Sequence, residues 1–401
     1  MTKPAQTLRI HTVHRGDGAC LRSVAQYVWP LALAVVPASR ACAPDHASRP
    51  TPAAEPARAT HDTIAVDTAT GAAGEHTTPP HRSRVRRHAA PKPLPPGAVT
   101  HDWAAFLGPT HNAVSSETHL LRDWPDTGPT LLWEMHAGTG YASPAVVGDR
   151  LVYFHRIGDV ETIECLHPET GEYYWSYSYP ATYKDRYGFN NGPRSSPVIA
   201  HDLVFTHGAA GVMHAVDLRT GNVVWRRDLS AEFNVPQNYF GVGSTPLVHG
   251  RLVIINVGGR RGDDDNAQPY PCVVALDTRT GKTVWAGGDQ WGASYASPVP
   301  ATIHGEDRII VLAGGDSRPP TGGLLSLDPG TGHIDWRFPF RSRKYESVNA
   351  ATPVVVGHQV FVSSAYRTGG SLIDIRPDGT HAIAWNTNAL RCHFGTPVHH
   401  D

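Results

Sequence analysis

The side chains best equipped to hold a partner are arginines and tyrosines set in the long segments between apolar runs: Arg186, Tyr187, Arg194, Tyr239, Arg260, Arg343, Tyr345, Arg391 and His393. Arg offers planar, permanently charged donors and Tyr a flat amphipathic face, a mixture suited to recognition more than to bond breaking. Arg194 stands three residues before a proline, as do Tyr141, Gly243, Tyr295, Ala350 and Phe394, and it is the charged member of that set. Two readings of it stay open: a ligand contact, or a brace for its own loop. No catalytic constellation assembles around these residues. Ser195 and Ser196 have no identified His/Asp pair to activate them. Asp263-Asp264-Asp265 supplies oxygens of the kind Ca²⁺ takes, but no spaced Glu completes a site, so a solvated acidic loop is favoured. Arg261-Gly262-Asp263 spells an adhesion tripeptide that coincidence explains, and His399-His400-Asp401 forms a metal site only if His393 approaches. The five cysteines, Cys20, Cys42, Cys165, Cys272 and Cys392, show neither CxxC nor zinc spacing and read as scattered thiols. The residues therefore point to binding, with no catalytic or metal set.

The elements that must position them follow from a repeat. Thr-Gly-x-x-x-Trp occurs at Thr170–Trp175, Thr220–Trp225, Thr280–Trp285 and Thr331–Trp336, with relaxed copies ending at Trp133 and Trp385. Asp217, Asp277 and Asp328 precede three of the Thr residues by three positions, and His167 takes that place in the first copy. A second marker, Ser/Thr-Pro, recurs at Pro144, Pro197, Pro246, Pro298, Pro353 and Pro397, 44 to 55 residues apart. Each unit holds four short apolar runs separated by turns, and no helical period appears. This predicts an all-β protein, a β-propeller of four-stranded antiparallel blades. The Asp and Thr tie the turn, Gly supplies a left-handed backbone, and the indole supplies a broad apolar surface with one N–H to satisfy. Trp133, Trp175, Trp225, Trp285, Trp336 and Trp385 thus read as residues that dock one blade on the next. Strand parity puts the short turns on one face and the long connections on the other. Those long connections, Tyr179–Arg194, Leu229–Gly243, Gly258–Pro271, Gly314–Gly323 and Phe338–Asn349, carry most of the residues named at the outset, with Tyr295 at the mouth of the channel.

Charge is uneven along the chain. Residues 1–100 hold 12 Lys/Arg against 6 Asp/Glu, leaving a mildly acidic body of 23 against 30 within a net charge of −1. Such a body is a poor nucleic-acid binder. The uncharged stretch Ser23–Ser39, with its apolar part Val24–Val36, follows Lys3, Arg9, Arg15 and Arg22 and reads as a secretory signal. It falls short of a membrane span and contains Pro30. Ala41-Cys42-Ala43 offers a cleavage site, or Cys42 a lipid anchor. Residues 44–100 lack any Phe, Trp or Tyr and read as a disordered linker. Its basic run His81–His88 is a solvated tether or a contact for an anionic surface. The expected organisation is a signal-like segment over 1–43, a linker over 44–100 and a propeller over 101–401.

Ala-x-Asp-x-x-Thr-Gly-x-x-x-Trp, complete at Ala215–Trp225 and Ala275–Trp285, resembles the tryptophan-docking repeat of the pyrroloquinoline-quinone (PQQ) propeller superfamily, the quinoprotein alcohol dehydrogenase-like proteins. The series Asp102-Trp103, Phe106, Gly108-Pro109, Asn112, Ser115, Glu117, Leu121, Trp124-Pro125, Gly128-Pro129, Trp133 resembles the opening segment of exported bacterial PQQ-binding-like repeat proteins. The likeness covers about residues 102–401. It implies a ring of seven or eight blades. Five complete units then read as a C-terminally truncated ring with exposed edges, the Trp133 strand being the outer strand of a final blade outside the chain. It also implies a non-catalytic periplasmic or envelope scaffold that binds a protein or small ligand on its long-loop face, with no nucleic-acid partner. Two alternatives remain: a PQQ-dependent oxidoreductase using PQQ and Ca²⁺, and an envelope or glycan-binding module. Catalytic members of the superfamily typically have an adjacent Cys-Cys pair and a longer chain, and this sequence has neither, so no cofactor is firmly implied.

Overall fold

A computed structural model describes residues 6–11, 24–27, 84–235, 238–258, 271–288, 291–315 and 317–399. The repeats fold into five four-stranded antiparallel sheets, each a simple meander in chain order. Blade 1 comprises Ala145–Val147, Arg150–Ile157, Val160–Leu166 and Tyr173–Pro180. Blade 2 comprises Val198–Ala200, Leu203–His207, Val212–Asp217 and Val223–Asp228. Blade 3 comprises Leu247–His249, Leu252–Asn256, Val273–Asp277 and Thr283–Gly287. Blade 4 comprises Val299–Ile303, Glu306–Ala313, Gly323–Leu327 and Ile334–Pro339. Blade 5 comprises Val354–Val356, Gln359–Ser364, Gly369–Ile375 and His381–Thr387. First strands of blades 1 to 4 touch in succession, so the first strand is innermost. Successive residues in the middle strands, such as Val253, Ile254 and Ile255, are all buried, because a sheet covered on both faces has no solvent side to alternate with.

Two devices join neighbouring blades. Near the axis, the backbone N–H of each Ser/Thr-Pro residue donates to the hydroxyl of its counterpart one blade on. Ser143 donates to Ser196 at 3.0 Å, Ser196 to Thr245 at 3.1 Å, Thr245 to Ser297 at 3.0 Å, Ser297 to Thr352 at 3.2 Å and Thr352 to Thr396 at 3.4 Å. At the rim, the register between third and outer strands slips in all five blades at the residue before the Trp, so that two outer residues oppose one. This bulge re-aims the indole out of its own sheet. Trp175 Nε1 donates to the Leu218 carbonyl at 2.8 Å, Trp225 to Thr278 at 2.9 Å and Trp285 to Pro329 at 2.9 Å, each on the next blade's turn. The ring then lies flat on that turn's glycine. At Gly281, where φ is +67°, an added Cβ would sit 2.7 Å from Trp225. Asp217, Asp277 and Asp328 hold the turns open to the indole by accepting from the Thr hydroxyl and two backbone N–H groups. Trp336 is 7% exposed and meets the His381 ring, whereas Trp385 is 42% exposed.

A sixth sheet differs from the expectation for the N-terminal hundred residues. Its order is Val24–Tyr27, Gln6–His11, Leu131–Ala137, Val85–Arg87. Gln6–His11 pairs with the Trp133 strand and carries the same bulge before the Trp, so it occupies a third-strand position beside a strand expected to lack one. Leu8 and Ile10 are buried there, and Trp133 donates to the Pro168 carbonyl of blade 1 at 2.9 Å. The rest of the signal-like run, with the cleavage site and Cys42, lies outside the described residues, as does the linker up to residue 83. From Arg84 onward the linker reading gives way. Val85 packs beside Trp133, Arg87 Nε donates to the Thr170 carbonyl at 2.7 Å, and Arg84 reaches the fully buried Glu164 at 2.5 Å. A segment without aromatics is ordered here because it borrows the core of the sheet it joins.

The inner strands are covered at the short-turn end by residues 102–107. Trp103 bridges Val146, the Ala104 carbonyl accepts from Ile199 at 2.8 Å, and Leu107 enters the core shared by blades 4 and 5. The opposite end carries the long loops.

Candidate functional site

The long-loop face is built upward from one buried ion pair. In the connection after blade 1, Asp185 is buried and its carboxylate accepts from the backbone of Tyr187 at 2.8 Å and of Phe189 at 3.3 Å. Arg194 Nη2 donates to Asp185 at 2.8 Å and to the Asn190 carbonyl at 2.5 Å, while Nη1 donates to Gly192. The guanidinium also stacks near Tyr183 and Tyr141, at 4.6 and 5.5 Å from their ring centroids. Burial pushes the Tyr183 hydroxyl up to about 12, against the opposing pull of Arg194. The donors of Arg194 are directed into its own loop, and that loop turns Tyr187 and Phe189 out to solvent, 43% and 59% exposed.

The connection after blade 2 opens with a short helix, Leu229–Glu232, capped by the Asp228 carboxylate, and leads to Tyr239 and Phe240. The Phe240 N–H donates to the Tyr295 hydroxyl at 2.8 Å. Phe240 then lies 5.6 Å from Tyr187, 6.2 Å from Phe189, 5.7 Å from Tyr295 and 6.3 Å from Phe394. Phe394 stacks on His393 at 3.9 Å, and the Tyr366 hydroxyl meets His393 Nε2 at 2.5 Å. Arg186 lies over Tyr187 and Tyr239 at 5.0 and 4.8 Å. Burial raises Tyr295 and Tyr239, with Glu346 adding to the effect on Tyr239, and burial lowers His393. The result is a contiguous aromatic patch centred on Phe240 with a cation on its edge. Apolar faces of this kind bury area at little conformational cost.

Of the residues singled out from sequence, the structure brings Arg186, Tyr187, Tyr239, Tyr295 and His393 into this patch, with Tyr345 close enough to act electrostatically on Tyr239. Arg194 lies beneath it. The Arg391 side chain turns back to the Asn388 carbonyl at 2.6 Å, and the Arg343 backbone carbonyl accepts from Arg318 at 3.4 Å. Arg260, the Asp263–Asp265 run, the tripeptide at 261–263 and the last two residues lie outside the described residues. Sequence reasoning passed over Phe189, Phe240 and Tyr366, and left Phe394 among the channel residues without choosing it. It favoured side chains with a polar handle, and the signal it needed was any aromatic residue within a long connection.

Ser195 donates to the Ser196 carbonyl at 3.4 Å and Ser196 belongs to the inter-blade hydroxyl series, so both are engaged in structure. Cys165 and Cys272 are buried free thiols and Cys392 is a half-buried one. Among the described residues no group of three His, Cys, Asp or Glu is placed to hold a metal ion, and no helix is long and apolar enough to cross a membrane.

The chain is similar to several known proteins. The dehydrogenase subunit of a quinone alcohol dehydrogenase from Komagataeibacter europaeus is 27% identical over 155 residues, 37% of this chain and 20% of the relative. The quinohemoprotein alcohol dehydrogenase of Comamonas testosteroni is 26% identical over 171 residues, 41% of this chain and 21% of the relative. The matched region thus spans about a fifth of the length of these relatives. Among solved structures, BamB from Moraxella catarrhalis matches 65% of each chain at 18% identity with a TM-score of 0.42. A europium-containing methanol dehydrogenase matches 61% of this chain and 50% of its own at 15% identity with a TM-score of 0.43. The PQQ_2 family model, described as outer membrane protein assembly factor BamB, matches residues 125–261 and 161–393, the stretch that folds into the five blades. With most of its length matched by that model, the chain belongs to the PQQ_2 family of PQQ-type β-propellers.

Proposed function

We propose that this propeller is an exported, non-catalytic scaffold that holds a protein or small-ligand partner on its long-loop face. The observation that carries the reading is the patch around Phe240, where several loops converge to expose Tyr187, Phe189 and Phe394 beside Arg186. Clustered aromatics with an arginine at the edge are the composition of a binding hot spot. Arg194 supports the same reading, because its charge is neutralised within its own loop and serves to position the patch. The basic leader and the family description both favour an envelope location. Photo-crosslinking residues placed at Tyr187 and Phe189 are expected to give a discrete adduct in cells, absent when the probe stands at Val356 on the short-turn face and reduced at least tenfold by Phe240→Ala. Equal adducts from both faces would sink the proposal.

A quinone-dependent oxidoreductase is the second reading, favoured by the names of the relatives. The fit is poor in one respect: no two cysteines are adjacent in the chain. Titration with PQQ and Ca²⁺ is expected to produce no stoichiometric shift of the quinone absorbance. A saturable one-to-one shift accompanied by dye reduction with alcohols would replace the scaffold reading with the oxidoreductase one.

A further inference from the structure

A cavity of about 190 Å³ lies between blades 2 and 3, beneath the connection that carries Phe240. We propose that it is a binding site for a small uncharged molecule, slightly larger than benzene and bearing a hydroxyl or carbonyl group. Size is the first argument. A cavity of about 150 Å³ lined by apolar side chains binds benzene, so this one takes a six-membered ring with a substituent.

Charge is the second. Among the described residues the lining includes no Asp, Glu, Lys or Arg. The titratable groups are His207 and Tyr183, and burial pushes the His207 imidazole down to about 4, leaving it neutral at physiological pH. None of these lining side chains would pair with a charged ligand removed from water, since the nearby Asp185, Arg194 and Glu161 are already engaged with other partners.

Polar placement is the third. His207 is 1% exposed; among the described residues its Nδ1 has no close hydrogen-bond partner, although the backbone of Gly211 and Ser244 lies near enough to act on the ring, and the Oγ of Ser244, next to the lining residue Gly243, has none either. Asn256 Nδ2 donates to Ser294 Oγ at 3.2 Å, and both residues line the cavity. Leu229, Val235 and Val257 supply the apolar remainder. Unmet buried polar groups carry a standing cost that one hydroxyl or carbonyl in the cavity would relieve. This site is separate from the patch, and its existence does not depend on the patch having a partner.

The two meet through the chain. Asn238 and Gly241 line the cavity, while Tyr239 and Phe240 between them belong to the patch. A bound molecule therefore stiffens the backbone that displays Phe240.

The test uses the full chain with phenol, benzyl alcohol and cyclohexanol as probes, and benzoate and benzylamine as charged controls. Binding is followed by calorimetry and by amide hydrogen exchange. The neutral probes are expected to bind saturably and to slow exchange at residues 238–243 at least threefold, the charged ones to bind at least tenfold more weakly. Ala210→Leu, at the half-buried rim, is expected to weaken the neutral probes tenfold, with Val235→Phe as an independent filling variant should the first fail to fold. His207→Phe is expected to weaken benzyl alcohol more than toluene. Binding that survives both filling variants, charged probes that bind as well as neutral ones, or the absence of protection at 238–243 with saturating probe would each overturn the assignment.

Discussion

The rim and the long-loop face of this propeller obey opposite rules. At the rim, the indoles of Trp133, Trp175, Trp225 and Trp285 use one donor, one acceptor position and one glycine, at 2.8–2.9 Å each time. On the loop face the described connections differ: one closes on a buried Asp185–Arg194 pair, the next opens with a capped helical turn, and another holds Arg341 against the Ser347 hydroxyl at 2.7 Å. The difference shows where repetition is enforced. A blade must fit its neighbour at the rim and the axis, so residues there are tied to a partner about fifty positions away. A loop facing solvent has no such obligation and is free to carry function.

The largest expected effect tests whether the rim holds the blades together. Trp225 is 8% exposed, and Trp225→Ala removes the indole from Gly281 and orphans the Thr278 carbonyl, for an expected loss of about 3–5 kcal/mol in denaturant unfolding. Gly281→Val attacks the same contact from the other side, since the position has φ +67° and no room for a Cβ. Trp385→Ala provides the internal contrast. With the ring 42% exposed, its removal is expected to cost less than about 1 kcal/mol. Equal losses at Trp225 and Trp385 would show that the indoles matter within their own sheets and not between them.

Legibility in the sequence follows the same division. The Trp, Gly, Asp and Thr are readable because they recur at fixed spacing, the Asp and Thr tying a turn within one unit and the Trp docking on the glycine of the next. The Ser/Thr-Pro marker was readable as a period but not as a device, because the hydroxyl serves the next blade and no pattern within one unit reveals it. The bulge before each Trp was hidden because the extra residue, Tyr174, Val224, Val284, Asp335 or Ala384, has no common type. Gln6–His11 was read as part of a charged leader, since two apolar residues amid polar ones are too short a signal for a strand whose partner lies more than a hundred residues on. On the loop face, Arg194 was left open between ligand and brace, and the geometry directs its donors into its own loop. Phe240 escaped because its role depends on rings brought from other loops.

The next effect asks whether the loop face can be damaged alone. Asp185→Ala leaves the Arg194 side chain, 8% exposed, without its counter-ion, and breaking a buried pair costs about 3 kcal/mol. The loss is expected as faster amide exchange at residues 183–194 with the blades still protected. Asp185→Ala combined with Arg194→Met is expected to recover most of it. Exchange that rises across blades 1 and 2 together would mean that loop and blade form one cooperative unit.

Acid titrates the blades by a different route. Burial, with Arg226 adding to it, lowers His214 to about 3, well below the 6.5 of an unfolded chain. The unfolded state therefore binds more protons between those values. The contribution of His214 is fully present above pH 6.5 and is lost as pH falls toward 3. Between pH 7.5 and 5.5 this amounts to about 1.4 kcal/mol, which His214→Phe is expected to remove from the stability profile. An unchanged slope in that variant would mean that His214 is not the group being charged.

The smallest effect probes the axial end of the same blade interface. Thr245 is 4% exposed, and its hydroxyl accepts the Ser196 N–H at 3.1 Å while its own N–H donates to Ser297. Thr245→Val keeps the shape and deletes the acceptor, leaving one buried N–H unpaired at a cost of about 1 kcal/mol. Thr245→Ser restores the oxygen without the methyl and is expected to recover most of that loss, which a packing role for the side chain would not predict. If Val and Ser are equally destabilising, the hydroxyl series is incidental and the blades are joined at the rim alone. If Val costs as much as Trp225→Ala, the axis outweighs the rim, and the ranking of the two interfaces drawn from indole burial must be reversed.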